Sequence, residues 1–143
     1  MDFGAKFDGY CSDMTRTVVL GKADKEMKRI YETVLTAQKE AMKFIRAGVP
    51  CREADRVARD IISDAGYGEY FSHSLGHSLG LEIHELPSLS PKSDDTLVAG
   101  NIVTVEPGIY IPGKYGVRIE NMVLVTENGC ESLTNSNNAL IEI

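Results

Sequence analysis

The sequence predicts an α+β protein, a mostly antiparallel sheet packed with two helices. Three observations carry this. The chain opens on a hairpin pattern, continues into a long stretch with helical periodicity, and from Tyr67 onward alternates short apolar runs with turn residues.

Residues 2–20, DFGAKFDGYCSDMTRTVVL, read as a β-hairpin. Asp8-Gly9 is a two-residue turn signal, because a type I′ turn needs positive φ at both central positions. A turn there sets Phe7 opposite Tyr10, and the same register sets Asp2 opposite Thr15. Residues 24–47 read as a helix. Asp24 is the N-cap, the apolar stripe is Met27, Ile30, Tyr31, Val34, Ala37, Ala41, Phe44 and Ile45, and Gly48 with Pro50 ends it. A second helix covers 51–65, with Ala54, Val57, Ala58, Ile61 and Ile62 inward and Gly66 beyond its end. The Lys and Glu residues of both helices read as a solvated face. Next come a window of histidines, a proline-bearing loop at 86–92 and a strand at 101–106. A Pro107-Gly108 break and a Gly113–Gly116 turn lead to a long strand at 117–126. The Asn128-Gly129 turn, a strand at 130–133 and a short one at 139–143 complete the chain.

At 143 residues the chain is expected to be one domain, 1–143, with no repeat or linker. Its 21 acidic and 15 basic residues leave a net charge of −6, which argues against nucleic acid or an anionic membrane as partner. No run is long and apolar enough to span a bilayer. Cys11, Cys51 and Cys130 are odd in number and far apart, as expected for reduced thiols in a cytoplasmic protein.

All three histidines, His73, His77 and His84, fall within SHSLGHSLGLEIHE. Carboxylates lie elsewhere in matching contexts. Side chains two apart on a strand share a face, so Asp13 and Asp2 become diagonal neighbours on one face of the hairpin. Close carboxylates repel unless a cation sits between them; the plain alternative is that Asp13 caps a turn and Asp2 is solvated. In NIVTVE, Ile102, Thr104 and Glu106 share a face, and Glu106 ends the strand before Pro107. In VRIENMVLV, Arg118 and Glu120 share a face with Met122 and Leu124. Each taken singly reads more readily as a structural ion pair than as a ligand. As a set, oxygen ligands with one imidazole suit a pair of divalent ions such as Mn²⁺, Co²⁺, Fe²⁺ or Zn²⁺. Bridging carboxylates hold such pairs about 3.5–4 Å apart in hydrolytic sites.

The segments DFGAKFDGYCSDMTRT, HSLGHSLGLEIHE, TVEPGIYIPGKYGVRIEN and LVTENGCESLT, in this order, resemble the signature blocks of the pita-bread metallopeptidases. That family includes methionine aminopeptidase, aminopeptidase P and prolidase. The resemblance implies the pita-bread (creatinase/aminopeptidase-like) fold and a role for each matching position. Asp2, Asp13, His77, Glu106 and Glu120 would bind two metal ions, Mn²⁺ foremost, with Asp13 and Glu120 bridging. Glu106 would also act as general base toward the attacking water. His84 would contact the substrate carbonyl, His73 would help hold the substrate, and Arg118 would lie on the substrate side. The continuation GIYIPG after VEP is similar to the aminopeptidase P and prolidase branch. It implies hydrolysis of Xaa-Pro bonds, with a proline-containing peptide as substrate. Methionine aminopeptidase-like specificity and a non-catalytic binding module are the alternatives.

Two positions depart from the family pattern: Ser78 stands where Gly is usual, and Asn121 where Asp is common. The family's catalytic domain also has a segment before the strand of the first ligand, here residue 2. The resemblance therefore implies an incomplete domain, truncated on its N-terminal side, that pairs with a missing segment or with another copy of itself.

Overall fold

The computed structural model describes residues 1–143. The opening ribbon consists of β1 (Asp2–Phe3), β2 (Lys6–Phe7), β3 (Tyr10–Cys11) and β4 (Met14–Thr15). Asp8 and Gly9 have φ of 48° and 88°, the positive pair the turn requires. Phe7 faces Tyr10, and Asp2 faces Thr15. Between the two ladders the chains approach so closely that a Cβ on Gly4 would run into the Ser12 carbonyl. The hairpin stops at Thr15. β5 (Val18–Val19) leaves it for the C-terminal strand instead.

Helix α1 (Lys25–Phe44) starts where Asp24 accepts a bond from the Met27 amide. It ends three residues before the expected 47, because the amides of Ala47 and Gly48 bond to Thr126 and Leu97 rather than back into the helix. Helix α2 (Cys51–Asp64) ends before Gly66, whose φ is 87°. After a short 3₁₀ turn at Gly68–Tyr70 come β6 (Gly76–Ser78), β7 (Glu85–Leu89), β8 (Ile102–Val105), β9 (Gly108–Ile111), β10 (Tyr115–Arg118), β11 (Asn121–Val125), β12 (Cys130–Ser132) and β13 (Ile141–Glu142). Five of these form the main sheet, in the order β12-β11-β8-β6-β7, all antiparallel. The β13–β5 pair is parallel.

Two sequence expectations are corrected. The proline-bearing loop is in part a strand: β7 sits at the sheet edge, where a residue without an N–H is tolerated. The strand expected over 117–126 is two strands. Its first part, β10, pairs with β9 in a separate hairpin, and its second part, β11, joins the main sheet. The residues between the Pro107-Gly108 break and the Gly113–Gly116 turn, read as no element, are therefore paired, as β9.

The interruption at Ile119-Glu120 is held by side chains from elsewhere. Gln38, fully buried on α1, donates from Nε2 to the carbonyls of Val105 at 3.2 Å and Ile119 at 3.1 Å. The Glu120 amide bonds to the Thr15 carbonyl at 3.1 Å. Arg16, 5% exposed, donates to the Glu120 carbonyl at 2.6 Å and to Asn121 Oδ1 at 2.9 Å. Helices α1 and α2 pack on each other and cover one side of these strands. Ile30, Val34, Ala58, Val103, Val105 and Ile119 belong to that one apolar core. No helix is long and apolar enough to cross a membrane.

Gln38→Leu keeps side-chain bulk but leaves two buried carbonyls without this donor. It is expected to destabilise the fold by about 2 kcal/mol in urea unfolding, the scale of an unsatisfied buried group.

Candidate metal centre

One cavity of about 400 Å³ has no hydrophobic side chain in its wall. All eight residues singled out in the sequence line it: Asp2, Asp13, His73, His77, His84, Glu106, Arg118 and Glu120. They arrive from separate segments. Asp2 is on β1 and Asp13 directly precedes β4. His77 is on β6, Glu106 follows β8, and Glu120 sits in the interruption between β10 and β11.

Asp13, His77 and Glu120 each offer a ligand atom within 4.8 Å of the others. His77 Nε2 lies 3.3 Å from Glu106 Oε1 and 3.7 Å from Asp13 Oδ2. His77 Nδ1 is 3.1 Å from the Ser78 carbonyl, which can only accept, so in the neutral ring Nδ1 carries the hydrogen. Nε2 then points a lone pair at two carboxylates. Such a cluster of acceptors fits a cation, and an imidazole held at its far nitrogen by a carbonyl is the usual preparation of a metal-ligating histidine. The residues present therefore fit divalent metal ions.

Asp2 stands apart. It is exposed, and its Oδ2 pairs with Arg118 Nη2 at 2.5 Å. His84 is also exposed and stands at the mouth, its ring 4.3 Å from that of His77 between centroids.

Two threonines and a tyrosine complete the site, and sequence reading assigned them no role. Thr104 Oγ1 accepts from the His77 amide at 3.0 Å and donates to Glu106 Oε1 at 2.9 Å. Thr15 Oγ1 donates to Glu120 Oε2 at 2.6 Å and accepts from Arg118 Nε at 3.1 Å. Each hydroxyl thus aims one carboxylate. Their signal was visible: Thr104 is two residues from Glu106, and Thr15 two from Asp13 and opposite Asp2. Tyr110 had no comparable pattern. Its hydroxyl receives Arg118 Nη1 at 3.2 Å and reaches His73 Nε2 at 2.7 Å. Ser78, in place of the usual Gly, turns its hydroxyl away to the Pro87 carbonyl at 3.0 Å.

Burial dominates the electrostatics. It raises Glu106 from 4.5 to about 7, against the Thr104 hydrogen bond and Arg118, which pull it down. It raises Glu120 from 4.5 to about 8, helped by the charge of Glu106. Burial, then Asp2, raises Asp13 as well. Burial lowers His73, so its ring is neutral near pH 7.

Carboxylates raised in the folded state hold protons that the unfolded chain has already released. The stability of the metal-free protein is therefore expected to fall as pH rises from about 4.5 through 7 to 8 and to level off above that. Melting temperatures across this range test it, and saturating Mn²⁺ should remove the decline by supplying the missing positive charge. Calorimetry at pH 7 in buffers of different ionisation enthalpy should show protons released as Mn²⁺ binds.

Comparison with known proteins agrees with this geometry. The model of metallopeptidase family M24 matches residues 1–127. An uncharacterised peptidase of Staphylococcus haemolyticus is 56% identical over 133 residues, covering 93% of this chain and 38% of that protein. The Xaa-Pro dipeptidase of Pyrococcus horikoshii is 49% identical over 141 residues, covering 99% of this chain and 40% of its own length. The solved Xaa-Pro dipeptidase from Bacillus anthracis superposes with a TM-score of 0.98 at 54% identity, over 99% of this chain and 40% of that one. The chain thus spans about two fifths of the length of the relatives it matches. The model covers nearly all of the chain, the fold is the pita-bread fold of these structures, and the protein belongs to metallopeptidase family M24.

Proposed function

We propose that the protein hydrolyses Xaa-Pro peptide bonds at a pair of divalent cations, Mn²⁺ foremost. One observation carries this reading: carboxylates and an imidazole from five separate segments converge on a single polar cavity. Asp2, Asp13, His77, Glu106 and Glu120 would hold the cations, with Asp13 and Glu120 shared between them. Arg118 takes only Oδ2 of Asp2, which leaves Oδ1 for a cation. When bound, the cations would lower the pKa of a water and polarise the scissile carbonyl.

The remaining work falls to side chains of this chain. The Glu106 carboxylate would accept the proton of the attacking water. His84, at the mouth, donates to the carbonyl oxygen as negative charge develops there. His73 and Arg118, joined through the Tyr110 hydroxyl, bound the substrate side of the cavity. The Xaa-Pro preference is supported by the names of the Pyrococcus horikoshii and Bacillus anthracis relatives. It is also supported by the placement of Arg118, in the segment GIYIPGKYGVR, at the cavity, where Tyr110 of the same segment accepts a bond from it.

The test is hydrolysis of Xaa-Pro and Met-Xaa dipeptides by chelator-stripped protein before and after Mn²⁺. Activity on Xaa-Pro alone, restored by the metal, is expected. Preference for Met-Xaa would make it methionine aminopeptidase-like, and two bound cations without hydrolysis of either would make it a binding module. His84→Ala should leave Mn²⁺ binding intact and lower kcat by about 10²–10³-fold, as for loss of one oxyanion donor.

A further inference from the structure

Residues Phe71–Leu75 run from the 3₁₀ turn to β6 without belonging to a helix or strand. Three of their main-chain groups are held by two side chains of α2. Arg59 donates from Nη1 to the Phe71 carbonyl at 2.9 Å and from Nη2 to the His73 carbonyl at 2.8 Å. Asp55, only 1% exposed, accepts from the Leu75 amide at 2.9 Å. The two side chains are joined to each other, Arg59 Nε and Nη2 meeting both Asp55 oxygens at 2.7 and 2.9 Å. The guanidinium lies 4.3 Å from the centre of the Phe71 ring, and that ring meets His73 edge-on, 5.1 Å between centroids.

An ordinary i,i+4 ion pair lies in solvent and holds nothing else. Here a planar fork of donors reaches a carboxylate and two carbonyls together, which a lysine ammonium cannot do. The restrained residues, 71, 73 and 75, bracket the imidazole. His73 Nδ1 donates to the Ser74 carbonyl at 2.8 Å, and Nε2 receives the Tyr110 hydroxyl at 2.7 Å. Both contacts depend on the path of the main chain through 73 and 74.

We propose that the Asp55–Arg59 pair is a positioning device for His73: it fixes the backbone from which the imidazole reaches the cavity and so selects the Nδ1–H tautomer. The inference rests on the peptidase reading only for what His73 meets there; the positioning is a property of the chain itself.

Three histidines make the imidazole nitrogen NMR spectrum of the whole chain simple, and His73→Gln identifies the His73 signals. The wild type should show a neutral Nδ1–H ring at His73. In Arg59→Lys the two His73 nitrogens should move toward a mixed tautomer, while the His77 and His84 signals and Mn²⁺ affinity stay unchanged. Asp55→Asn, which keeps shape and an acceptor for the Leu75 amide, should move them the same way by less, and serves alone if Arg59→Lys does not fold. In the Xaa-Pro assay Arg59→Lys should lower kcat by about 10- to 100-fold, the scale of a small misplacement, and add nothing in a His73→Gln background. An unchanged His73 tautomer in the folded variants, or an undiminished effect of Arg59→Lys without His73, would overturn the proposal. Wild-type protein with the expected tautomer but no hydrolysis would remove the functional reading and leave the positioning in place.

Discussion

Like charges gathered in one small cavity set the terms for the rest of this molecule. Asp13, Glu106 and Glu120 lie together with Asp2 near, and burial, helped by the neighbouring carboxylates, pushes two of them to about 7 and about 8. A chain left to itself separates such groups. The fold must keep them together without neutralising them. Three of the four take a side-chain donor: a hydroxyl for Glu106 and for Glu120, a guanidinium for Asp2. Thr104 serves Glu106, Thr15 serves Glu120, and Arg118 binds Asp2 and Thr15.

The interruption between β10 and β11 follows from that need. A continuous strand over 117–126 would keep Glu120 in a ladder, its side chain bound to the alternation of its neighbours. Breaking the ladder leaves amides and carbonyls that must be satisfied in a dry interior. Gln38, Arg16 and the Thr15 carbonyl meet that demand. These contacts also couple α1, the opening ribbon and the main sheet at one point, directly behind the candidate metal ligands. Stability and site geometry are therefore set by the same few buried polar contacts.

The histidine cluster divides its labour by what each ring's other nitrogen touches. His77 is turned by the Ser78 carbonyl so that Nε2 faces carboxylates. His73 is held by the Ser74 carbonyl and faces a tyrosine hydroxyl. His84 stands exposed at the entrance. Close in sequence, the three occupy different surroundings because β6 and the bulged pairing with β7 separate them along the cavity wall.

The sequence by itself determined whatever depends on local chemistry. Asp8-Gly9 sets the turn, the turn sets Asp2 opposite Thr15, and apolar periodicity with Asp24 and Gly66 places two helices to within three residues at each end. The eight candidate site residues were named from motif blocks that resemble the pita-bread metallopeptidases; the strand carboxylates taken singly read more readily as structural ion pairs. Tertiary structure alone decided what depends on contacts between distant segments. It broke the 117–126 strand, paired β9 with β10 and drew a proline-bearing segment into the sheet edge. It also set Asp55 and Arg59 against the backbone of Phe71, His73 and Leu75. An arginine four residues after an aspartate reads the same whether it faces water or a loop; only packing distinguishes the two, since burial and hydrogen-bond partners arise when remote parts of the chain meet.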